Sequence, residues 1–439
     1  MLYIFFILEK LILYYIEFSY NDKLIYYIIM DCLLSTINLL VNHLSKLFIP
    51  DNSDELIVDS FEIIPIKNIN ANIKKIKFTH DINYENNETK NKFEQLLYLQ
   101  NNTSIISIDL LKYFKYNYNY IGLDYLPTKL KILHLHSNYI NKINNFPSFL
   151  EILTCSYDFY VLQEKIPDTI KKLTLSESGI THSNEEFFKP IKLTNGLIEL
   201  YFINFFYCNE LRIINNLIKI FDKLPSNLKI LQIPYFWNNP LNNLPSKLKI
   251  LYLGGIYNQP IDNLPIYLEK IYFGIKFNQS LDFLPESIKY ISFSIGRKFN
   301  KSINNLPNSL KYLDLDFQEE YSHSIDNLPN SIEYLSLGDY YLQINKLPDN
   351  LIKLKIATHV KFILMPIPDV DIFDELNKSN KIKKKYYKLE NIGKYNIENN
   401  ITIHIPHNLS TITYCNIDND YSVYTYIREN NSLWYRLEL

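Results

Sequence analysis

The chain has 439 residues and a formal net charge of −2, so it lacks the basic surplus expected of a protein that binds nucleic-acid backbones along its surface. It has 9 glycines, which disfavours glycine-rich phosphate loops and the nucleotide-binding folds built on them. The cysteines, Cys32, Cys155, Cys208 and Cys415, are scattered without a Cys-x-x-Cys pair, so neither a zinc finger nor a disulfide framework is predicted and a reducing compartment is favoured.

Residues 1–29 are strongly apolar. Glu9, Lys10 and Glu17 interrupt the run before it reaches the roughly 20 apolar residues of a membrane-spanning helix. The basic start and small residues of a signal peptide are not evident. Three interpretations stay open: a membrane anchor, a buried or partner-binding helix, or a segment that precedes a true start at Met30.

Residues 30–56 read as an amphipathic helix followed by a polar linker. Apolar side chains recur with the spacing of one helical face, at Leu33, Ile37, Leu40, Leu44 and Leu47. Pro50 ends the pattern. We interpret the helix as a cap over the first coil of a repeat array, since such arrays need capping ends. A partner-docking helix is the alternative.

A repeated phrase dominates residues 126–360. Apolar-Pro pairs recur about 20 residues apart through most of this stretch, starting at Leu126, Phe146, Ile166, Leu224, Leu244, Leu264, Leu284, Leu306, Leu328 and Leu347. With an irregular unit at Leu193 they make eleven repeats, and a short helix is predicted over 215–222. A fixed period of this length predicts a solenoid, in which each unit buries its apolar face against its neighbours. We interpret residues 57–125 as degenerate repeats that lead into the array.

Each unit alternates apolar and polar residues as a short, half-buried strand does. In the unit that starts at Leu264, we expect Leu268, Ile271 and Phe273 to point inward. Pro265 should lie just outside the strand, because proline cannot donate a hydrogen bond to the sheet. The predicted fold class is therefore a leucine-rich-repeat-like solenoid of stacked parallel β coils, with an α-helical N-terminal region.

The second half of each unit places an aromatic residue before an asparagine, as in Trp237-Asn238 and Tyr257-Asn258. We predict that the aromatic rings stack as a spine inside the coils. Because an amide both donates and accepts hydrogen bonds, we also predict a structural ladder between coils at Asn238, Asn258, Asn278 and Asn300. The units at Leu306 and Leu328 lack this asparagine and read Tyr321-Ser322-His323-Ser324 and Tyr341-Leu342-Gln343.

The shared phrase, Leu-Pro-x-Ser-Leu-Lys-x-Leu-x-Leu-Gly followed by Phe-Asn-Gln-x-Ile, resembles the FNIP-repeat family, a group of leucine-rich-repeat relatives. The resemblance is good over 224–357 and weaker over 126–223. The family is abundant in social amoebae and in giant viruses that infect amoebae, which implies an amoebal or viral origin. Some members carry an F-box or kinase domain beside the repeats, and we find neither pattern in this sequence.

Residues 361–439 depart from the repeat and are interpreted as a loop followed by closing coils. Alternating segments such as 421–426 predict strands, and a degenerate repeat starts at Ile405. A basic run at 381–388 is interpreted as a solvated loop, with a localisation or phosphate-contacting patch as the alternative.

No catalytic or nucleotide-binding motif is present, so we expect a protein that is not an enzyme and holds no cofactor or metal. His134 and His136 share one strand face at a spacing that could hold a metal ion. Their neighbours in the coil stack, Thr154 and Ser156, are poor ligands, so a structural role is favoured.

The strand face that points away from the core is the better candidate site. Aligned unit by unit, it collects residues that we predict to bind a partner: Tyr252, Tyr272, Tyr290, Tyr312, Tyr334, Asp314 and Asp316. Tyrosine suits recognition because its ring is large, has few rotamers and ends in a polar group. The alternative is structural, since tyrosine is common in this chain and suits strands.

We therefore expect a monomeric, non-catalytic scaffold that binds an unidentified protein partner on the concave strand face. Nucleic-acid binding is not expected, and a cytoplasmic location is favoured (the host cytoplasm if the protein is viral). Two alternatives stay open: a substrate-recognition adaptor for ubiquitin ligation that acts through the N-terminal helices, and a repeat protein anchored in a membrane by residues 1–29.

Overall fold

A computed structural model of the chain describes most of the predicted array and parts of its flanks. The described residues are 54–58, 72–78, 104–110, 123, 126–135, 143, 145–156, 166–176, 192–203, 211–293, 298–315, 321–337, 340, 344–357, 362–366, 386–392, 406–416, 422–430 and 433–437. The predictions for residues 1–29, for the helix at 33–48 and for the basic run lie outside them, apart from 386–388.

Nineteen strands join in one sheet within the described part of the chain. They are β1 (Glu55–Val58), β2 (Lys75–Phe78), β3 (Ser107–Leu110), β4 (Ile132–Leu135), β5 (Ile152–Ser156), β6 (Lys172–Ser176), β7 (Glu199–Ile203), β8 (Ile230–Gln232), β9 (Ile250–Tyr252), β10 (Lys270–Phe273), β11 (Tyr290–Phe293), β12 (Tyr312–Leu315), β13 (Tyr334–Leu337), β14 (Lys353–Ala357), β15 (Phe362–Pro366), β16 (Tyr386–Ile392), β17 (Thr411–Asn416), β18 (Ser422–Asn430) and β19 (Leu433–Leu437).

The first fourteen strands pair in parallel in the order of the sequence, and β17 continues the ladder beside β14. One strand, from β4 to β14, falls in each of the eleven units counted between residues 126 and 360. The prediction of a parallel β-solenoid is therefore confirmed. The domain boundaries drawn around it stay predictions.

One register position carries an aliphatic residue through the whole ladder. Its members face the inside of the coils and are at most 4% exposed: Leu56, Ile76, Ile108, Leu133, Leu153, Leu173, Leu200, Leu231, Leu251, Ile271, Ile291, Leu313, Leu335, Leu354 and Ile412. Each coil alone would leave this face in water, so the burial of apolar area couples every coil to its neighbours. Leu268 and Phe273 are also fully buried, which confirms the inward positions expected for that unit.

The Leu-Pro corners are hydrogen-bonded turns that lead into the strands. The carbonyl of Pro265 accepts a hydrogen bond from the backbone N–H of Leu268 at 3.0 Å, and the Pro245 carbonyl accepts one from Leu248 at 3.0 Å. Proline has no N–H to leave unpaired at this corner, while its carbonyl closes the turn. The corner therefore sets the point at which each coil turns into its strand.

An insertion before β8 folds as a helix, α1 (Leu211–Phe221), which begins four residues before the predicted position. Ile213, Leu217 and Ile220 are buried against the coils. No described helix is both long and apolar enough to cross a membrane.

The C-terminal end of the ladder differs from the predicted series of closing coils. After β17 the sheet continues with antiparallel pairs, from β17 to β18, β19, β16 and β15. The guanidinium of Arg428 on β18 reaches back to the last Leu-Pro-like corner, where its Nη1 donates to the carbonyls of Pro406, His407 and Leu409 at 3.0–3.3 Å. This contact ties the antiparallel strands to the last parallel coil.

Candidate binding face

Five tyrosines form one continuous stack across strands β9 to β13, which we call the tyrosine ribbon: Tyr252, Tyr272, Tyr290, Tyr312 and Tyr334. Successive ring centroids lie 4.3, 5.0, 4.1 and 4.2 Å apart. Three of the four contacts are close to parallel, and only the contact between Tyr272 and Tyr290 is tilted, at 40°. Each ring remains partly exposed on the outward face of the strands.

The ribbon crosses between two columns of the sheet, where a column is the set of residues that lie opposite one another on successive strands. Tyr252 pairs with Tyr272 in one column, whereas Tyr290, Tyr312 and Tyr334 pair in the neighbouring column. The tilted contact is the step between the columns, because Ser292 rather than a tyrosine lies opposite Tyr272. An alignment of units places both columns on one face, and the three-dimensional structure joins their rings into one continuous stack.

Charged groups flank the ribbon. The ammonium group of Lys270 lies 5.7 Å from the centroid of the Tyr290 ring, within the range of a cation–π contact. Asp314 is partly buried beside Tyr312, and its Oδ2 is 3.4 Å from the Ser292 hydroxyl. The other predicted aspartate, Asp316, lies outside the described residues.

Three of the ribbon hydroxyls have a pKa above the usual value for tyrosine. Burial raises the pKa of Tyr252, Tyr272 and Tyr312, and neighbouring tyrosines contribute to the rise. A neutral hydroxyl can donate one hydrogen bond and accept others, so these positions offer both functions to a ligand at physiological pH.

His134 makes a contact inside the sheet. Its Nδ1 is 2.8 Å from the hydroxyl of Thr154 on the next coil. Burial lowers the pKa of His134, although the charge of Asp109 opposes this effect. His136 lies outside the described residues. Among the residues with a described position, no three His, Cys, Asp or Glu side chains come together as metal ligands would.

Aromatic rings stack inside the coils as the sequence predicts. The centroids of Phe277 and Phe299 are 6.4 Å apart, and those of Phe299 and Tyr321 are 6.1 Å apart. The spine continues to Tyr340, whose ring lies 6.2 Å from Tyr321 and is 2% exposed. In this unit the spine residue is therefore Tyr340, one residue before the Tyr341 that the alignment of units predicts. Burial raises the pKa of Tyr257, an earlier member, to about 12.

The repeated asparagines make one directed chain of hydrogen bonds. Each Oδ1 accepts the backbone N–H of the equivalent residue in the next coil, from Asn238 to Asn258, Asn278 and Asn300, at 2.8–2.9 Å. Ser322 ends the series by donating its N–H to Asn300 at 3.0 Å. The side chains thus satisfy backbone donors that the sheet does not reach.

Removing one member of this chain should leave an unpaired donor. We expect Asn278→Ala to lower the free energy of unfolding by about 1–2 kcal/mol, because the N–H of Asn300 loses its acceptor. Asn278→Asp keeps the accepting oxygen and should cost less than about 0.5 kcal/mol. Urea unfolding of the two variants measures the difference, and equal losses would show that the accepting oxygen is not what matters.

A second polar ladder was not foreseen in the sequence. Two residues after the corner proline, a serine or threonine hydroxyl donates to a carbonyl of the preceding coil. These bonds join Thr169 to Leu150, Ser287 to Leu268, Ser309 to Ile288 and Ser331 to Leu310, at 2.6–2.7 Å. The recurring serine of the Leu-Pro-x-Ser-Leu-Lys phrase was the available signal.

Comparison with known proteins gives a family for the central coils. Residues 237–276, 257–295, 277–318 and 299–340 each match the FNIP Repeat model. No curated protein sequence matches the chain.

Two solved structures are similar in part. CroV588, described as a circular LRR protein, is 20% identical with a TM-score of 0.45, over 82% of this chain and 59% of CroV588. YopM from Yersinia enterocolitica WA-314 is 16% identical with a TM-score of 0.29, over 65% of this chain and 69% of YopM. The chain thus spans well under two thirds of CroV588.

Proposed function

Since this chain carries consecutive FNIP repeats within a parallel β-solenoid, we propose that it is a non-catalytic scaffold that binds a protein partner on the outward face of its strands. Solenoids of this kind present long, regular surfaces on which neighbouring coils each supply a few side chains. The tyrosine ribbon is the observation that carries the proposal.

The stacking of the ribbon favours binding in two ways. Rings that already pack at 4.1–4.3 Å have little rotamer freedom left to lose when a partner arrives. The rings nevertheless keep part of their surface exposed, so a partner can bury apolar area against them and pair with their hydroxyls. Tyrosine is among the residues that contribute most to binding energy at protein interfaces.

Charged residues beside the ribbon would fix the orientation of a bound partner segment. Asp314 occupies the column next to Tyr312, and Lys353 follows Tyr334 in the column of the three tyrosines. A partner segment would therefore meet an aromatic strip with an acidic group on one side and a basic group at one end. We propose that Asp314 and Asp316 set its orientation.

The triple change Tyr290→Ser, Tyr312→Ser and Tyr334→Ser tests the proposal. Affinity capture with the unchanged chain, followed by mass spectrometry, identifies candidate partners. The purified partner should bind the triple variant at least about 100-fold more weakly, because three aromatic rings that the partner would cover are lost together. Cooperative thermal unfolding of the variant would show that the solenoid is intact.

Tyr201→Ser is the matched control. Tyr201 is a partly exposed tyrosine on the same face, and Gln232 separates it from Tyr252 in the ladder. The control should bind the partner as the unchanged chain does. A folded triple variant that binds with unaltered affinity would refute the role of the ribbon.

A further inference from the structure

A cleft of about 430 Å³ lies between the Leu-Pro corners and the beginnings of strands β8 to β11. Four lysines line it, Lys229, Lys247, Lys249 and Lys289, together with Glu269 and Tyr267. The chain as a whole has a net charge of −2, so this grouping of cations is a local feature.

The cations of the cleft exceed its carboxylates. Glu269 pairs with Lys249 at 2.7 Å and with Lys289 at 3.6 Å. The pKa of Glu269 is lowered, mainly because Lys249 donates a hydrogen bond to its carboxylate. The carboxylate therefore stays charged at neutral pH. Lys247 donates to the Asn227 side chain at 2.9 Å. Within the described part of the chain, Lys229 and Lys247 have no carboxylate at ion-pair distance.

The cleft lies where the serine ladder is interrupted. Ser287, Ser309 and Ser331 use the second position after the proline to bond the preceding coil. Lys247 and Tyr267 occupy this position in their own coils, and the Tyr267 side chain is 62% exposed. These two coils therefore replace a short structural side chain by a long one that reaches into solvent.

Exposed apolar side chains lie at the same corners. Ile266, directly before Tyr267 in the sequence, is 69% exposed, and Phe283, directly before the Leu284-Pro285 corner, is 67% exposed. Large apolar residues that remain in water next to a charged cleft are typical of a surface that a partner covers.

We propose that this cleft binds an acidic segment of a partner protein that carries an apolar side chain among its carboxylates. The carboxylates pair with Lys229 and Lys247, and the apolar side chain packs on Ile266, Tyr267 and Phe283. A continuous polyphosphate backbone suits the cleft less well, because the ionised Glu269 stands among the lysines. This inference rests on the proposed role of the solenoid in protein recognition.

A dye-labelled peptide of six glutamates around a central phenylalanine tests the inference by fluorescence anisotropy with the full chain. The double change Lys229→Gln and Lys247→Gln should weaken binding roughly tenfold. Lys311→Gln is the matched control, because Lys311 holds the equivalent position outside the cleft, where it pairs with Glu333 at 2.8 Å. The control should bind the peptide as the unchanged chain does.

A variant that is expected to bind the peptide more tightly provides a second test. Glu269→Gln should strengthen peptide binding roughly threefold, because it frees Lys249 and Lys289 from their carboxylate. The triple serine variant of the ribbon should still bind the peptide, which separates failure of this inference from failure of the proposed function. The inference is wrong if the lysine double variant matches Lys311→Gln, or if phosphatidylserine vesicles bind the cleft and the peptide does not.

Discussion

A chain that carries Gly274→Ala is expected to unfold at a clearly lower urea concentration, with a free energy of unfolding lower by about 2–3 kcal/mol. Gly274 directly follows β10, where the turns of neighbouring coils stack. A Cβ at this position would lie 2.7 Å from the Cα of Gly255 and would also overlap the carbonyl oxygen of Gly254. Both contacts are with backbone, so no side-chain rotation relieves them.

The direction of the change in unfolding free energy distinguishes a sterically blocked position from an unstrained one. At an unstrained position, replacing glycine by alanine stabilises a protein by roughly 0.4–1 kcal/mol, because the unfolded chain loses freedom. Lys276→Ala is the control, since Lys276 is exposed on the same turn and its backbone bond to Gly255 does not involve the side chain. A neutral or stabilising Gly274→Ala would mean that the coils can separate at this turn without cost.

The parallel solenoid was predictable because its core is periodic. A residue such as Ile271 meets its equivalents, Leu251 and Ile291, directly across the ladder, so any unit that lost its apolar residue would break the column. The same reasoning predicts the aromatic spine, since a buried ring in one coil needs a ring of similar size in the next. Repetition in the sequence is here the direct consequence of contact between equivalent positions.

Other features depend on information that the period does not contain. The C-terminal strands turn antiparallel after β17, and alternation alone does not distinguish the two directions of pairing. The ribbon was predictable only as separate columns, because its step from Tyr272 to Tyr290 is a matter of ring orientation. Tyr340 takes the spine position because the spacing along the sequence is shorter from Tyr321 to Tyr340 than from Phe299 to Tyr321, which a fixed period misses.

The cleft illustrates a further limit of sequence reasoning. Its lysines belong to three different coils, and each of them alone looks like an ordinary exposed residue of a repeat. The signal lay in a departure from the repeat, where Lys247 and Tyr267 stand in place of the serine that bonds neighbouring coils elsewhere. In a solenoid, conformity to the repeat maintains the fold, and departures on the surface are where recognition can be encoded.

Replacing a central ring of the spine should have the largest effect on stability. We expect Phe299→Ala to lower the free energy of unfolding by about 3–5 kcal/mol, because Phe299 is 2% exposed and packs between Phe277 and Tyr321. The loss combines the apolar surface removed from the core with the cavity that two stacked neighbours cannot close. Since each coil is stabilised by its neighbours, the damage should spread to the adjacent coils.

Phe283→Ala is the control, because it makes the same chemical change one coil earlier at an exposed ring. Comparing the two variants separates the effect of burial from the effect of losing a phenylalanine. Phe283 is 67% exposed, so its removal should change the free energy of unfolding by less than about 0.5 kcal/mol. Urea unfolding measures both values, and hydrogen exchange shows whether amides of β11 and β12 lose protection in the Phe299 variant alone. Comparable losses for the two variants would contradict the internal spine, because an exposed ring has little packing against neighbouring coils to lose.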